Sequence, residues 1–320
     1  MVQTMTDNAT PLRCLVLGGR GFVGSHLVDG LLAAGHRVRS FGRLHTGHHE
    51  SRENLEYFDG NFENSDDVRS ALEGCDVCYH LISTTLPKSS NGDPCYDIES
   101  NLIGTVRLLN AAVRGGVKKV IFTSSGGTVY GNPRYTPIPE SHPTDPICSY
   151  GITKLAIEKY LEMFRTLHGL EYQVLRLANP YGERQLTRGN QGAIAIFLGK
   201  IMRGESVEIW GDGSSVRDYL HISDVTRALI RCIEPGRTEE RVLNIGSGIG
   251  VSVNALLDAI ETVVDRPAER KYLPARAFDV PSNVLDISAA HRSLDWSPKV
   301  GFTEGISRFH RWLANNPHAL

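Results

Sequence analysis

Short apolar runs alternate with longer segments of helical apolar spacing along the first 180 residues of the chain. Buried strands are predicted at 14–19, 76–83, 118–125 and 172–179, and an alternating run predicts another at 36–43. Between them the spacing predicts helices at 25–35, 66–74, 96–116 and 149–169, with Ser149 as the cap of the last. Strands alternating with helices indicate an α/β fold with a Rossmann-type, doubly wound parallel sheet.

Beyond residue 180 the alternation of strands and helices becomes less regular. Loops that contain glycine and proline separate shorter helices and strands, which predicts a smaller α/β C-terminal domain. In a doubly wound sheet, ligands bind at the carboxyl ends of the strands. Gly18, Ser83, Ser125 and Asn179 each follow a predicted strand and are therefore candidates for a binding site.

Composition narrows the class of protein. The chain has 320 residues, 41% of them hydrophobic, and a net charge of −2 with no long basic run, which argues against a nucleic-acid partner. No apolar run approaches the roughly 20 residues of a membrane helix, so no membrane association is expected. Six scattered cysteines show no disulfide framework, which fits a cytoplasmic protein.

Two short motifs could suggest a metal. Cys75 and Cys78 form a CxxC, but the motif runs into a predicted strand and no second ligand pair accompanies it. His45, His48 and His49 lie in a predicted solvated loop without a carboxylate or cysteine at a fixed offset. No metal site is predicted.

The stretch LGGRGFVGSHL contains Gly18, Gly21 and Gly24 between a strand and a helix, the context of a dinucleotide-binding turn. In such turns the glycines permit a tight turn, close approach to a pyrophosphate and close packing of helix on strand. A carboxylate about 20 residues later often holds the adenosine ribose, but here the sequence has Gly42 followed by Arg43. The residues leave the choice between NAD and NADP open.

The stretch SYGITK places Tyr150 four residues before Lys154, so a helix would put both on one face. A nearby cation favours the phenolate, so we expect Lys154 to lower the pKa of Tyr150 and to make it an acid/base. YxxxK alone is equally compatible with a solvated helix face.

Eight blocks in order carry a family resemblance: GGRGFVG, NLIGT, FTSSGGTVYG, YGITK, LRLANPYGERQ, WGDGSSVRDYLHISDV, NIGSG and DISAAHRSLDWSPKVGFTEGI. The chain resembles the extended short-chain dehydrogenase/reductase family, and within it the nucleotide-sugar 4-epimerases of the UDP-glucose type. The resemblance covers residues 14 to about 312. It implies a dinucleotide-binding domain at 12–179 plus 216–247, and a nucleotide-sugar-binding domain at 180–215 plus 248–320.

The resemblance also implies residue roles. Ser125 would bind the sugar hydroxyl, Tyr150 would be the acid/base, and Lys154 would bind the nicotinamide ribose. Cofactor contacts are implied for Gly18, Gly21, Phe22, Val23, Gly24, Arg43, Asn61, Phe62, Leu81, Ile82, Ser83, Asn101, Tyr150 and Lys154. Substrate contacts are implied for Ser125, Asn179, Arg217, Arg276 and Asn283, with both arginines on the diphosphate and Asn283 in the pocket wall. For Arg217, a surface ion pair with Asp218 is the competing interpretation.

The resemblance implies a UDP-sugar 4-epimerase with NAD as cofactor and NADP not excluded. Dehydratases and decarboxylases of the family carry an acid just after the catalytic Ser/Thr, whereas Gly126-Gly127-Thr128 follows Ser125 here. Two other hypotheses stay open: an NADPH-dependent 4-keto-sugar reductase, and a non-catalytic dinucleotide sensor, which would not need Ser125, Tyr150 and Lys154 together.

Family members commonly pair two helices across a two-fold axis, so a homodimer is expected. The predicted helices at 96–116 and 149–169 carry apolar residues beyond a single stripe, and these would form the interface: Leu102, Val106, Leu109, Leu155 and Leu161.

Overall fold

A computed structural model describes residues 10–43, 52–189, 192–234, 240–275 and 280–320. Its strands are β1 Arg13–Leu17, β2 Arg37–Gly42, β3 Leu55–Asp59, β4 Val77–His80, β5 Lys119–Ser125, β6 Glu171–Leu177, β7 Asn179–Tyr181, β8 Val207–Trp210, β9 Val216–His221, β10 Val242–Ile245, β11 Gly250–Ser252, β12 Arg270–Leu273 and β13 Ser282–Asn283. Its α-helices are α1 Phe22–Ala33, α2 Ser65–Leu72, α3 Pro94–Asp97, α4 Gly104–Arg114, α5 Ser149–His168, α6 Ala193–Arg203, α7 Ile222–Arg231, α8 Val253–Val264, α9 Ser288–Leu294 and α10 Phe302–Asn315.

Seven strands form one parallel sheet in the order β10-β6-β5-β4-β1-β2-β3. Strand β1 shows why both faces are covered. Its Cys14 and Val16 enter one hydrophobic core, and Leu15 and Leu17 enter another on the opposite face, as the two-residue period of a strand requires. Helices α1 and α7 cover the first core, while α2, α4 and α5 cover the second. The predicted doubly wound parallel sheet is confirmed.

The C-terminal part forms smaller sheets. Strand β9 pairs with β7, β11 and β13, and β8 pairs with β12. A third core lies among α6, α8 and α10. The expected dinucleotide-binding domain includes residues 216–247. Strand β10 of this range completes the large sheet, whereas β9 of the same range lies in a smaller sheet. The division into two domains with the proposed limits stays a prediction.

The predicted helix at 96–116 is confirmed as one helical run over 94–114, formed by α3, a π-helical segment Ile98–Ile103, and α4. One local expectation was wrong and one strand was missed. Ser149 is the first residue of α5 rather than its cap, since Cys148 is the capping residue. Strand β3 was not predicted; it lies at the sheet edge, where no residue of it is fully buried.

Among the described residues, no helix is long and apolar enough to cross a membrane. Cys75 and Cys78 are buried in the second core, and burial is the main cause that raises the pKa of Cys75. His45, His48 and His49 lie outside the described residues.

Candidate active site

The glycine turn between β1 and α1 is shaped for close approach of a ligand. Gly18 has φ +85°, in the left-handed region that favours glycine. A Cβ on Gly24 would lie 2.0 Å from the carbonyl oxygen of Gly18, so only glycine lets helix and turn pack at this distance. Gly21 precedes α1 without a side-chain cap, which leaves the N–H groups of the first turn to an anion. The turn therefore fits a dinucleotide pyrophosphate.

Lys154 is fixed at the carboxyl edge of the sheet. Its Nζ donates to the carbonyl oxygen of Thr123 at 3.0 Å and lies 4.6 Å from the ring centroid of Phe122. The same Nζ lies 5.5 Å from the ring centroid of Tyr150. The predicted pairing of Tyr150 and Lys154 on one helix face is confirmed.

Burial, rather than Lys154, dominates the acidity of Tyr150. Desolvation raises the pKa of Tyr150 to about 12, helped by the charges of Cys148 and Asp97 and opposed by a hydrogen bond with Ser83. The expectation that Lys154 lowers this pKa is wrong for the protein's own groups, because Lys154 is itself desolvated. Burial lowers the pKa of Lys154 to about 8, against the raising effect of Asp97 and Glu158.

Glu158 anchors helix α5 to the sheet one turn beyond Lys154. Its carboxylate is bidentate with Arg176 on β6, with Nη2 to Oε2 at 2.6 Å and Nε to Oε1 at 3.1 Å. It also accepts from Ser124 Oγ at 2.5 Å. The side chains of Glu158 and Arg176 are both buried, so each provides the opposite charge and the hydrogen bonds that the other needs away from water. This pair fixes α5 in position relative to the ends of β5 and β6.

The N-terminus of α5 is held by side chains from the segment after β4. The backbone N–H of Tyr150 donates to Ser90 Oγ at 3.0 Å, and that of Ser149 donates to Asn91 Oδ1 at 2.9 Å. Cys148 offers no side-chain cap. Because the first N–H groups of a helix have no intrahelical acceptor, these bonds from outside the helix set the position of Tyr150.

Asp97 links the same parts of the structure, and the sequence analysis missed it. The carboxylate is fully buried. Its Oδ2 accepts from Ser149 Oγ at 2.7 Å and from Thr153 Oγ1 at 2.8 Å. Its Oδ1 accepts from Thr85 Oγ1 and from Asn101 Nδ2, the latter at 3.1 Å. Asp97 therefore joins α3, the segment after β4 and α5 around one negative charge.

Ser125 is the last residue of β5 and is partly buried. Gly126, which follows it, must be small, because a Cβ would lie 2.6 Å from Leu285 Cδ1. Asn283 Nδ2 donates to the carbonyl oxygen of Gly126 at 3.0 Å, and Asn283 Oδ1 is buried without a hydrogen-bond partner. The structure therefore brings Asn283 next to the Ser125 turn, while its place in a pocket wall stays a prediction.

The predicted cofactor residues after β4 differ in their surroundings. Leu81 and Ile82 are partly buried, whereas Ser83 is exposed, and Ile82 packs against Gly18 of the glycine turn. Asn101 is buried in the π-helical segment Ile98–Ile103, and its Oδ1 accepts from Thr84 N in the loop after β4 at 2.9 Å. Its amide therefore connects this segment to that loop.

The two predicted cofactor residues after β3, Asn61 and Phe62, also differ in their surroundings. Asn61 is exposed, and its Oδ1 accepts from the N–H of Glu63. Phe62 lies in the second core, with its ring centroid 5.2 Å from that of His80 and its edge against Gly104. The side chain of Phe62 therefore belongs to the core. Phe22 and Val23 open α1 and pack partly against the first core.

Two predicted substrate residues lie on the smaller sheet. Asn179 Nδ2 donates to the carbonyl oxygen of Asp218 at 2.8 Å, and Arg217 Nη1 donates to that of Val216 at 2.8 Å. Asp218 is fully buried and accepts from Ser247, Gly248 and Leu285. The diphosphate role of Arg217 and the competing ion pair with Asp218 both stay predictions. Arg276 lies outside the described residues.

Comparison with known proteins gives the family. The model of the NAD dependent epimerase/dehydratase family matches residues 14–246. The chain belongs to this family. The UDP-glucose 4-epimerase of Mycolicibacterium smegmatis is 39% identical over 313 residues, covering 95% of this chain and 99% of that protein.

Two solved structures are similar over nearly their whole length. The UDP-glucose 4-epimerase of Thermotoga maritima, solved with UDP-glucose, has a TM-score of 0.90 and 37% identity over 96% of this chain and all of that chain. The UDP-glucose 4-epimerase of Thermus thermophilus, solved with NAD, has a TM-score of 0.87 and 32% identity, covering 95% and 99% of the two chains. The predicted family, the epimerase class and the NAD cofactor are confirmed.

Proposed function

We propose that this protein is a UDP-hexose 4-epimerase in which Ser125, Tyr150 and Lys154 carry the proton chemistry. The observation that carries the proposal is the position of Lys154 Nζ, which lies 5.5 Å from the ring centroid of Tyr150 and is bonded to Thr123, two residues before Ser125 at the end of β5. The glycine turn shaped for a dinucleotide lies at the end of β1 in the same sheet. A protein that only senses a dinucleotide needs the turn alone, and the desolvated lysine beside a tyrosine would bring it no benefit.

Tyr150 takes the proton of the sugar C4 hydroxyl, and Ser125 holds that hydroxyl within hydrogen-bonding reach. A nicotinamide dinucleotide, when bound, supplies reversible hydride acceptance at C4. The 4-keto sugar turns over in the pocket, where C4 would take back the hydride on its other face while Tyr150 returns the proton to the C4 oxygen. Lys154, fixed by Thr123, keeps a donor beside Tyr150 and the cofactor ribose.

The segment after Ser125 supports epimerisation over elimination or decarboxylation. Gly126, Gly127 and Thr128 offer no carboxylate, and a side chain at position 126 would press against Leu285. Since the turn supplies no second acid/base group, the reaction that fits is a hydride transfer and its reversal.

The substrate contacts are proposed from the smaller sheet and its loops. Asn179, Arg217 and Arg276 would bind the diphosphate, since guanidinium groups offer paired donors to phosphate oxygens. Asn283, smaller than a tyrosine and buried beside Gly126, would leave room for a bulkier or polar substituent on the sugar. The ratio of N-acetylated to plain sugar turnover should fall in Asn283→Tyr; an unchanged ratio would remove Asn283 from the pocket wall.

A C2 homodimer and a cytoplasmic location complete the proposal. Of the five residues expected at the interface, Leu109 and Leu161 are buried in the core instead. The exposed apolar side chains on the two helical segments are Ile98, Ile103, Ile152, Met163 and Leu167. Light scattering should give a dimer mass for the wild type and a monomer mass for Ile152→Glu; a wild-type monomer at micromolar concentration would refute the dimer. All six cysteines are free thiols, which supports a reducing compartment.

The decisive experiment follows interconversion of UDP-glucose and UDP-galactose, and of the N-acetylated pair, by purified protein. Tyr150→Phe keeps the ring but removes the proton acceptor, so turnover should fall on the order of 10²–10⁴-fold with the fold retained. With C4-deuterated sugar and excess unlabelled NADH, the label should return to the product sugar. Label in free cofactor would indicate the reductase instead, and near-normal turnover by Tyr150→Phe would refute the catalytic assignment.

A further inference from the structure

A cavity of about 480 Å³ lies between helices α2 and α4, which cover the second core. We call it the α2–α4 groove. Its lining residues come from one face of each helix: Ser65, Arg69 and Glu73 on α2, and Arg107, Asn110, Ala111, Arg114 and Gly115 on or directly after α4. None of these residues is implied in dinucleotide or nucleotide-sugar binding. Small-molecule sites have volumes of about 300–1,000 Å³, so the groove has the size of a separate ligand site.

Two arginines on α4 border the groove without a carboxylate partner. Arg107 and Arg114 are seven residues apart, close to two helical turns, so they stand on one face of α4, about 10.5 Å apart along its axis. Both side chains are exposed, and neither forms an ion pair within the ranges that the structure describes. Ala111 lies between them and lines the same cavity, where its small side chain leaves room. The two charges are therefore open to an anion in the groove.

Helix α2 adds a third arginine from the opposite wall. The guanidinium of Arg69 bonds Asp66 Oδ1 at 2.9 Å, with the two side chains 65% and 74% exposed. Such an exposed ion pair contributes little to stability, so Arg69 can exchange Asp66 for a ligand. Glu73 is the one carboxylate among the described lining residues. The lining thus has an excess of two positive charges, in a chain whose net charge is −2.

We propose that the α2–α4 groove binds a polyphosphate chain, that of a nucleoside triphosphate or of an inorganic polyphosphate. Guanidinium groups offer paired donors to phosphate oxygens, and three of them on two helices match several negative charges better than a single carboxylate. An acidic helix does not fit, because two turns of a helix about 10 Å wide occupy about 800 Å³. This site goes beyond the proposed epimerase reaction and does not depend on it.

The test is a calorimetric titration with tripolyphosphate, and separately with ATP, at low ionic strength. The protein is first saturated with NAD and UDP, so that the proposed active site is occupied. Arg107→Gln and Arg114→Gln should each weaken tripolyphosphate binding about fivefold or more, and the double variant more than about twentyfold. Asp66→Asn, which releases Arg69, should strengthen binding. Arg311→Gln is the matched control: it removes the same charge from an exposed site on α10, and the affinity should change less than about twofold.

Ala111→Leu tests the cavity without a change of charge. The larger side chain should weaken tripolyphosphate binding and leave UDP binding unchanged; if this variant unfolds, the arginine variants decide alone. ATP that binds tighter than tripolyphosphate would assign the site to a nucleotide, and equal or weaker binding of ATP would assign it to inorganic polyphosphate.

Three outcomes would overturn the site. They are no tripolyphosphate binding to the saturated wild type, equal weakening by Arg107→Gln and Arg311→Gln, and wild-type affinity in folded Ala111→Leu. The proposed function is tested separately. If neither NAD nor UDP binds, the proposed function fails, while the titration and its variants still locate the polyphosphate.

Discussion

The buried carboxylate of Asp97 gives the strongest test of how the active-site helix is positioned. Asp97→Asn keeps the shape of the side chain and removes its charge. Four hydrogen bonds end on this carboxylate, from Thr85, Asn101, Ser149 and Thr153. A hydrogen bond to a charged group contributes about 1.5–3 kcal/mol and a neutral one about 0.5–1.5 kcal/mol, so each of the two bonds to the remaining oxygen weakens by about 1 kcal/mol. The amide NH2 in place of the other oxygen donates, so the two groups that donated there must turn to accept or lose their partner.

The sum is reduced because a buried charge also costs desolvation energy, which the amide avoids in part. We expect a net loss of about 1–3 kcal/mol in the free energy of unfolding for Asp97→Asn. Asp97→Ala leaves four donors without an acceptor and should lose more. Urea denaturation at pH 7 measures both. Glu99→Gln is the matched control, because it makes the same charge change two residues away on an exposed side chain, and it should stay near wild type.

A second readout separates positioning from stability. The charge of Asp97 raises the pKa of Tyr150 and of Lys154, so Asp97→Asn should lower both. The acid limb of the kcat/KM profile, which requires Tyr150 as proton acceptor, should therefore move to lower pH. If Asp97→Asn matched Glu99→Gln in stability and kept the wild-type acid limb, the reasoning on this carboxylate would be refuted.

Two further predictions use other parts of the site. Lys154 has a folded-state pKa of about 8, below its ordinary 10.5, so the unfolded chain binds its proton more tightly, and this group alone should add about 3 kcal/mol to the free energy of unfolding between pH 8 and 10.5. Buried thiols and phenols with raised pKa values act in the opposite direction, so the contribution is measured as the difference between wild type and Lys154→Met. Lys154→Met should lack this rise in denaturation series; the same pH slope would contradict the buried ammonium. Gly24→Ala should lose about 1–3 kcal/mol and weaken dinucleotide binding, whereas Gly42→Ala, with only 3.8 Å contacts, should unfold near the wild-type temperature.

Local spacing explains which features of the site were predictable. Tyr150 and Lys154 are four residues apart, so the helical period alone puts them on one face. The glycines of the turn are likewise local, and their roles follow from backbone geometry at Gly18 and Gly24. Strands β1 and β5 were predictable because they are apolar on both faces, whereas β3 at the sheet edge is half-exposed and carries no such run.

Asp97 had no local signal. The side chains that donate to it come from positions 85, 101, 149 and 153, and only the fold brings these segments together. The surroundings of Phe62 and Asn101 also had no local signal, and their implied cofactor contacts came from the resemblance. Phe62 packs against Gly104 in the core, and Asn101 accepts a hydrogen bond from the N–H of Thr84.

The pKa of Tyr150 shows where a sequence argument based on one neighbour fails. The cation four residues away was expected to favour the phenolate, but the site that brings the two together also removes both from water. Desolvation then raises the pKa of Tyr150 and lowers that of Lys154, so both side chains are pushed toward their neutral forms. At neutral pH the protein's own groups therefore hold Tyr150 as an acid. A further positive charge beside Tyr150 would lower its pKa, so we expect proton abstraction to occur in the complex with an oxidised dinucleotide, which can also accept a hydride.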